Sequence, residues 1–192
     1  MKFLFNLTIV LVLAMIVGLG SVWLTVQGRA GIEQVRKGPW ISWIAAGDPD
    51  ADPYTRAMLA RTGRIPLAAA EAIYFHALTD DDGHSLGENC TFRLRSAPLD
   101  ARWWTITVTT QNGALIENPA RRYGFNSQSV LREPNGDFVI RVGPQTRAGN
   151  WIPTGRDNQI MLTLRLYDTS MKTNGGLSDP VLPTILREDC QQ

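Results

Sequence analysis

Hydrophobic residues follow two regimes along this chain. From Phe3 to Gly28, 26 consecutive positions carry no ionisable side chain, and most are Leu, Ile, Val, Met or Ala. A helix crosses the hydrocarbon layer with about 20 apolar residues, so the pattern predicts a transmembrane helix over residues 4–26. Trp23 lies near its distal end, where an interfacial aromatic sits. A cleavable secretory signal has a shorter apolar stretch and a small-x-small cleavage site. Here Gly18 and Gly20 flank a leucine and Gly28 and Ala30 flank an arginine, so residues 1–28 read as an uncleaved signal anchor.

Beyond Arg29 the period shortens. Residues 29–38 are polar and read as a linker, and residues 39–192 read as one domain. Pro39–Ile44 alternates large and small residues, as a strand does. Asp52-Pro53 is an N-cap and first-turn pair, which starts a short helix over Tyr54–Thr62 with Gly63 as its C-cap. Pro66–Ala70 is expected to add a further helical turn. Strands are then predicted at 72–78, 90–95, 103–109, 137–142 and 160–167, from period-two alternation and β-branched residues. Asp80–Gly83, Gln111–Gly113 and Pro134–Gly136 are turn signals between them. Short strands with Gly, Pro and Asn punctuation predict a mainly β fold. The expected architecture is a β-sandwich of jelly-roll type with one or two short helices, preceded by the single N-terminal transmembrane helix.

Charge and cysteines place the protein. With 19 basic and 18 acidic residues the chain has no electrostatic footprint for nucleic acid. Lys2 and the terminal amine lie on one side of the apolar run, and Arg29, Arg36 and Lys37 on the other. The positive-inside rule alone turns the body toward the cytoplasm. The two cysteines, Cys90 and Cys190, argue otherwise. They form no C-x-x-C and no cluster with His76 or His84, so a metal site is not expected. An even pair behind an export segment reads as one disulfide in an oxidising compartment. The expected location is the inner membrane, single-pass, with the soluble domain in the periplasm.

Two motifs resemble chemistry and are read as structure. Gly83-His84-Ser85-Leu86-Gly87 matches the nucleophile elbow of α/β-hydrolases, but the elbow needs a following helix and a later histidine. A strand follows instead, and no histidine lies after Ser85, so Ser85 is assigned to a hairpin loop. Asp48, Asp50 and Asp52 resemble the start of an EF-hand loop, but Pro53 and Leu59 stand where that loop needs Gly and Glu. No catalytic residue and no cofactor is expected from motifs. The polar residues interleaved with aromatics form the tentative ligand site: Asn118, Arg121, Arg122 and Tyr123, with Asn150 and Trp151. Adjacent guanidiniums beside aromatic rings grip carboxylates, sulfates or sugars. The competing reading is that Arg122 or Arg165 pairs an internal carboxylate and Trp151 fills core.

The same stretches carry a family resemblance. Trp104-Thr105-Ile106-Thr107, Asn118-Pro119 with Arg122-Tyr123, Asn150-Trp151-Ile152-Pro153 and Leu164-Arg165-Leu166-Tyr167 occur in the order of the bacterial domain of unknown function 1214 family. Gly38-Pro39-Trp40 and Asp52-Pro53-Tyr54 resemble its small, membrane-anchored members. The resemblance implies a jelly-roll sandwich and a companion 1254-type domain, in the same polypeptide or a neighbouring gene, and it implies no reaction. Two function classes remain at this point. One is a non-catalytic envelope module that binds a partner or ligand. The other is an envelope enzyme acting on carbohydrate or lipid through carboxylates such as Asp137 or Glu117, which one sequence does not identify.

Overall fold

The structure, a computed structural model, describes residues 2–26, 34–63, 65–87, 89–155, 159–173, 176–177 and 181–190. Helix α1 (Lys2–Val26) is the predicted apolar run and buries none of its residues against the rest of the chain. At 1.5 Å per residue it is about 37 Å long, which exceeds the roughly 30 Å hydrocarbon layer. Its hydroxyls bond within the helix: Thr8, Ser21 and Thr25 donate to the carbonyls of Leu4, Gly18 and Ser21. The helix is long and apolar enough to cross a membrane.

The strands that follow build two main sheets. One has six strands in the order β1 (Gln34–Lys37), β2 (Trp40–Trp43), β3 (Ala72–Ala77), β9 (Ile160–Tyr167), β5 (Trp103–Thr110), β6 (Gly124–Asn126). The other has four, in the order β12 (Thr184–Cys190), β4 (Cys90–Ser96), β7 (Phe138–Gly143), β8 (Asn150–Pro153). A short ribbon, β10 (Lys172–Thr173) with β11 (Gly176–Leu177), stands apart. Pairing is antiparallel except between β7 and β8.

Alternation along the strands explains the sandwich. Ile73, Phe75 and Ala77 of β3, Leu162, Leu164 and Leu166 of β9, and Trp104, Ile106 and Val108 of β5 all point inward. They meet Phe92 and Leu94 of β4, Ile140 and Val142 of β7, and Ile185 of β12 in one core. Trp104 stacks on Phe138 across the two sheets, ring centroids 4.7 Å apart. Trp40, wholly buried, donates from Nε1 to the Pro183 carbonyl at 2.7 Å, which ties β2 to the segment entering β12. Burying each such large side chain is worth about 1.5–3 kcal/mol. The mainly β sandwich is therefore the observed fold.

The structure departs from three local expectations. Gln34–Lys37, assigned to a polar linker, is a strand whose hairpin to β2 turns on Gly38, at φ 56°. Its Arg and Lys concealed the pairing. Pro66–Ala70 is not helical: Leu67 N donates to Tyr74 Oη at 3.1 Å, and only a turn at Ala68–Glu71 follows. Asn150–Pro153, absent from the predicted strands, is β8, too short for alternation to reveal. The turn holding Ser85 is a local hairpin, Leu86 N to Leu78 O and Asp80 N to His84 O. It is also a crossing between sheets, since β3 and β4 lie in different ones.

Helix α2 (Pro53–Thr62) forms as its signals require. The Asp52 carboxylate accepts from Tyr54 N and Thr55 N, Pro53 fills the first turn, and Gly63 closes the other end at φ 64°. Cys90 and Cys190 face each other in the register of β4 and β12. They form a disulfide with Cα atoms 3.9 Å apart.

Candidate functional site

The outward face of the six-stranded sheet carries polar residues because its inward face took the apolar ones. Antiparallel register lines them up in rows: His76, Thr163 and Thr107 in one, Tyr74, Arg165 and Thr105 in the next. His76 Nδ1 lies 3.0 Å from Thr163 Oγ1. Arg165 Nη1 donates to Thr107 Oγ1 at 2.7 Å. Arg165 therefore bonds a hydroxyl, not the internal carboxylate that one sequence reading gave it.

Half of this face is roofed. Helix α2 brings Met58 and Leu59 over it, and the segment after Gly63 brings Ile65 and Pro66. Two contacts hold the roof down. Tyr74 Oη accepts from Leu67 N, and Gly47, at φ 85°, lets the backbone of its turn press on the Leu67 carbonyl. The result is a cleft of about 290 Å³. Its walls are apolar, from Trp43, Met58, Leu59 and Met161; its floor offers Tyr74, His76, Thr109, Thr163 and Arg165. Trp43 also packs its ring 5.9 Å from His76. Thr109 is 7 % exposed, and among the described residues its hydroxyl has no hydrogen-bond partner.

The roof reaches α1. Arg61, in the last turn of α2, places its guanidinium 4.9 Å from the centroid of the Trp23 ring in α1. The Asp52 cap is a charged one: the Thr55 hydroxyl and amide hold its carboxyl below the ordinary value of 3.8.

The tentative site from the sequence lies elsewhere. Asn118, Arg121 and Tyr123, with Glu117 and Pro119, line an open groove. The Asn118 side chain closes its own loop, donating to the Ile116 and Arg122 carbonyls and accepting from Arg122 N. Arg121 sits there at φ 48°, an uncommon backbone for a non-glycine residue. Arg122 turns away and donates to the Trp151 carbonyl at 3.1 Å, so these two residues do meet. Trp151 spends its own Nε1 on the Gly143 carbonyl. Asn150 is 6 % exposed and bonds Leu131 N, Leu131 O and Val139 O, joining a loop to two strands.

The remaining cluster is a turn. Asp80, Asp82 and His84 bring ligand atoms within 4.8 Å of one another. However, Asp80 Oδ1 already accepts from Asp82 N and His84 N, and Oδ2 faces Arg187 Nε at 3.5 Å. The guanidinium supplies the positive charge that a cation would bring. Asp137, one of the candidate enzyme carboxylates, faces Arg95 at 3.7 Å.

The profile of a family described as "Protein of unknown function (DUF1214)" matches residues 71–171, more than half of the chain. The chain belongs to that family. The match begins just before β3 and ends after β9, so it includes the floor of the cleft, whereas α2, Trp43 and α1 lie outside it. Among solved structures, the VPA0106 protein of Vibrio parahaemolyticus aligns with a TM-score of 0.58 at 18 % identity, over 73 % of this chain and 36 % of that one. An uncharacterised protein of Burkholderia cenocepacia aligns with a TM-score of 0.45 at 18 % identity, over 93 % of this chain and 52 % of that one. The chain thus spans about a third of the first relative's length and half of the second's. No curated protein matches it.

The cleft residues escaped the sequence reading for a definable reason. The signal was present as the polar half of the alternation in β3 and β9, Tyr74 and His76 with Thr163 and Arg165. Nothing in one sequence indicates that a helix roofs this face.

Proposed function

We propose that this protein is a membrane-anchored binding module whose sandwich faces the periplasm. In this reading it holds a small ligand in the cleft between α2 and the six-stranded sheet. The cleft carries the proposal: apolar walls around a few converging polar groups are the usual make-up of a ligand site. The floor belongs to the part shared with the family, and the roof to the membrane-proximal part, so the family scaffold supplies the site and the anchor segment shapes it.

Binding is favoured over glycoside hydrolysis because the described residues lining the cleft include no carboxylate. Hydrolysis by a pair of acids needs two. The periplasmic side is supported by the Cys90–Cys190 disulfide, since such bonds persist in oxidising compartments. The disulfide outweighs Arg36 and Lys37, which alone favour a cytoplasmic body. The family resemblance supports a companion 1254-type domain as partner.

The test is a thermal-shift screen of small molecules against the full chain in lipid nanodiscs, repeated with Leu59→Trp, which fills the cleft from α2. Hits that raise Tm in the native chain and fail in the variant support the reading. Hits that bind both equally refute it. Affinity capture from cross-linked membranes, without recovery of a 1254-type protein, refutes the companion.

A further inference from the structure

We infer that the cleft takes a small carboxylic acid with an apolar body, its carboxylate seated on Arg165; the inference rests on the cleft being the ligand site. Arg165 is unlike most arginines of the sandwich. Arg93, Arg95, Arg102, Arg141, Arg147 and Arg187 each face an acidic side chain. Arg165 is half-buried on the cleft floor, and among the described residues no carboxylate pairs with it. Its side-chain hydrogen bond to Thr107 orients the guanidinium, and among the described residues further N–H donors of the fork are left for a planar anion. Arginine remains charged at any physiological pH, so a half-buried guanidinium without a counter-ion is completed by an anion.

The neighbouring groups narrow the class. The Thr109 hydroxyl, buried and unpartnered, lines the same cleft and offers a donor and an acceptor. Arg165 is the one permanently charged group among the described residues of the cleft, which matches a singly charged head better than a phosphate dianion. Trp43, Leu59 and Met161 require the rest of the ligand to be apolar. The cleft, about 290 Å³, suits a small ligand, and a medium-chain acid such as octanoate serves as the probe.

The surroundings suit an amphiphile. The roof helix rests on α1 through Arg61 and Trp23, and Ile65 at the cleft rim is 95 % exposed. An acid partitioned into the lipid surface therefore meets the roof of the cleft before it meets the rest of the sandwich.

Equilibrium dialysis of the full chain in nanodiscs tests this, with octanoate and n-octanol as probes and protein-free nanodiscs as blank. Octanoate is expected to bind at least tenfold more tightly than octanol. Arg165→Gln abolishes that preference without weakening octanol, Arg165→Lys retains part of it, and Leu59→Trp abolishes binding of both. Should Arg165→Gln fail to fold, the Lys variant carries the comparison, because it keeps the charge and loses the fork. Equal binding of octanoate and octanol, or a preference unchanged in Arg165→Gln and Arg165→Lys, overturns the carboxylate inference and leaves the cleft as a neutral site. Binding of neither probe, or binding indifferent to Leu59→Trp, overturns the cleft reading and this inference with it. Repeating the titration with the acid added in solution and preloaded in the bilayer separates the sources. Binding from solution alone, with none from the bilayer, overturns delivery from the membrane.

Discussion

Arg93 and Arg141 stand directly opposite each other on β4 and β7, a pair of like charges in adjacent strands. Glu188 resolves the conflict. The register of β12 shifts between Arg187 and Asp189, and this bulge carries Glu188 over the pair. One carboxylate oxygen lies 3.5 Å from Arg93 Nε and the other 3.1 Å from Arg141 Nε.

Glu188→Gln should therefore destabilise more than loss of an ordinary surface ion pair, because it leaves two guanidiniums opposed. The partners are partly solvated, so the expected loss is about 1 kcal/mol. Urea denaturation in low and high salt checks it. The deficit should shrink as salt screens the repulsion; a salt-independent deficit would count against this account.

The disulfide closes a sequence separation of 100 residues. In the chain-entropy account a loop of that length is worth about 4–5 kcal/mol. Replacing both Cys90 and Cys190 by Ser should lower Tm by roughly 10–20 °C at this chain size. The cross-link constrains β12 against β4, so exchange of β12 amides should accelerate first. Uniform acceleration through both sheets would contradict a local tether.

Gly47 sits at φ 85°, and a Cβ there would lie 2.4 Å from the Leu67 carbonyl oxygen. Gly47→Ala should cost about 1–3 kcal/mol for the left-handed backbone, with Leu67 pushed off the cleft. The expected readouts are a Tm lower by a few degrees and loss of octanoate binding. A variant with native Tm and native binding would show that the roof is not held there.

Two carboxyls give opposite pH signatures. The Thr55 hydroxyl and amide hold the Asp52 carboxyl below 3.8 in the fold, so its contribution is present above that value. It is lost as pH falls through the depressed one, and α2 amide protection should drop in that window.

Burial pushes the Asp81 carboxyl above 3.8, aided by Asp80 and Asp82 and opposed by its bond from Ile185 N. A raised acid is stabilising below its unfolded value and loses that contribution as pH rises through the folded one. Asp81→Asn should therefore raise Tm slightly at pH 7 and change nothing at pH 3. A gain that persists at pH 3 would point to packing instead of charge.

Much of the architecture was legible from periodicity. The strand from Ile160 to Tyr167 alternates, with Ile160, Leu162, Leu164 and Leu166 on one face, so that face could only turn toward a core. The cap and stop of α2, Asp52 and Gly63, are local chemistry and need no tertiary partner. The long apolar helix is legible for the same reason: 26 uncharged residues, mostly aliphatic, need no tertiary partner to be read as one. Short elements were not legible. Gln34–Lys37 and Asn150–Pro153 offer four residues each, fewer than alternation needs, and their strands exist because β2 and β7 present unpaired edges.

The sequence by itself determined which residues are apolar and at what period, and hence an apolar helix, a two-faced set of strands and a cysteine pair. Only the tertiary structure decided what those faces meet. Arg165 and Arg141 occupy similar alternating positions in the chain, yet one faces Glu188 and the other a roofed cleft. Alternation is a local property that assigns a side chain to a face. What covers that face depends on contacts between residues far apart in sequence, which period and composition do not encode.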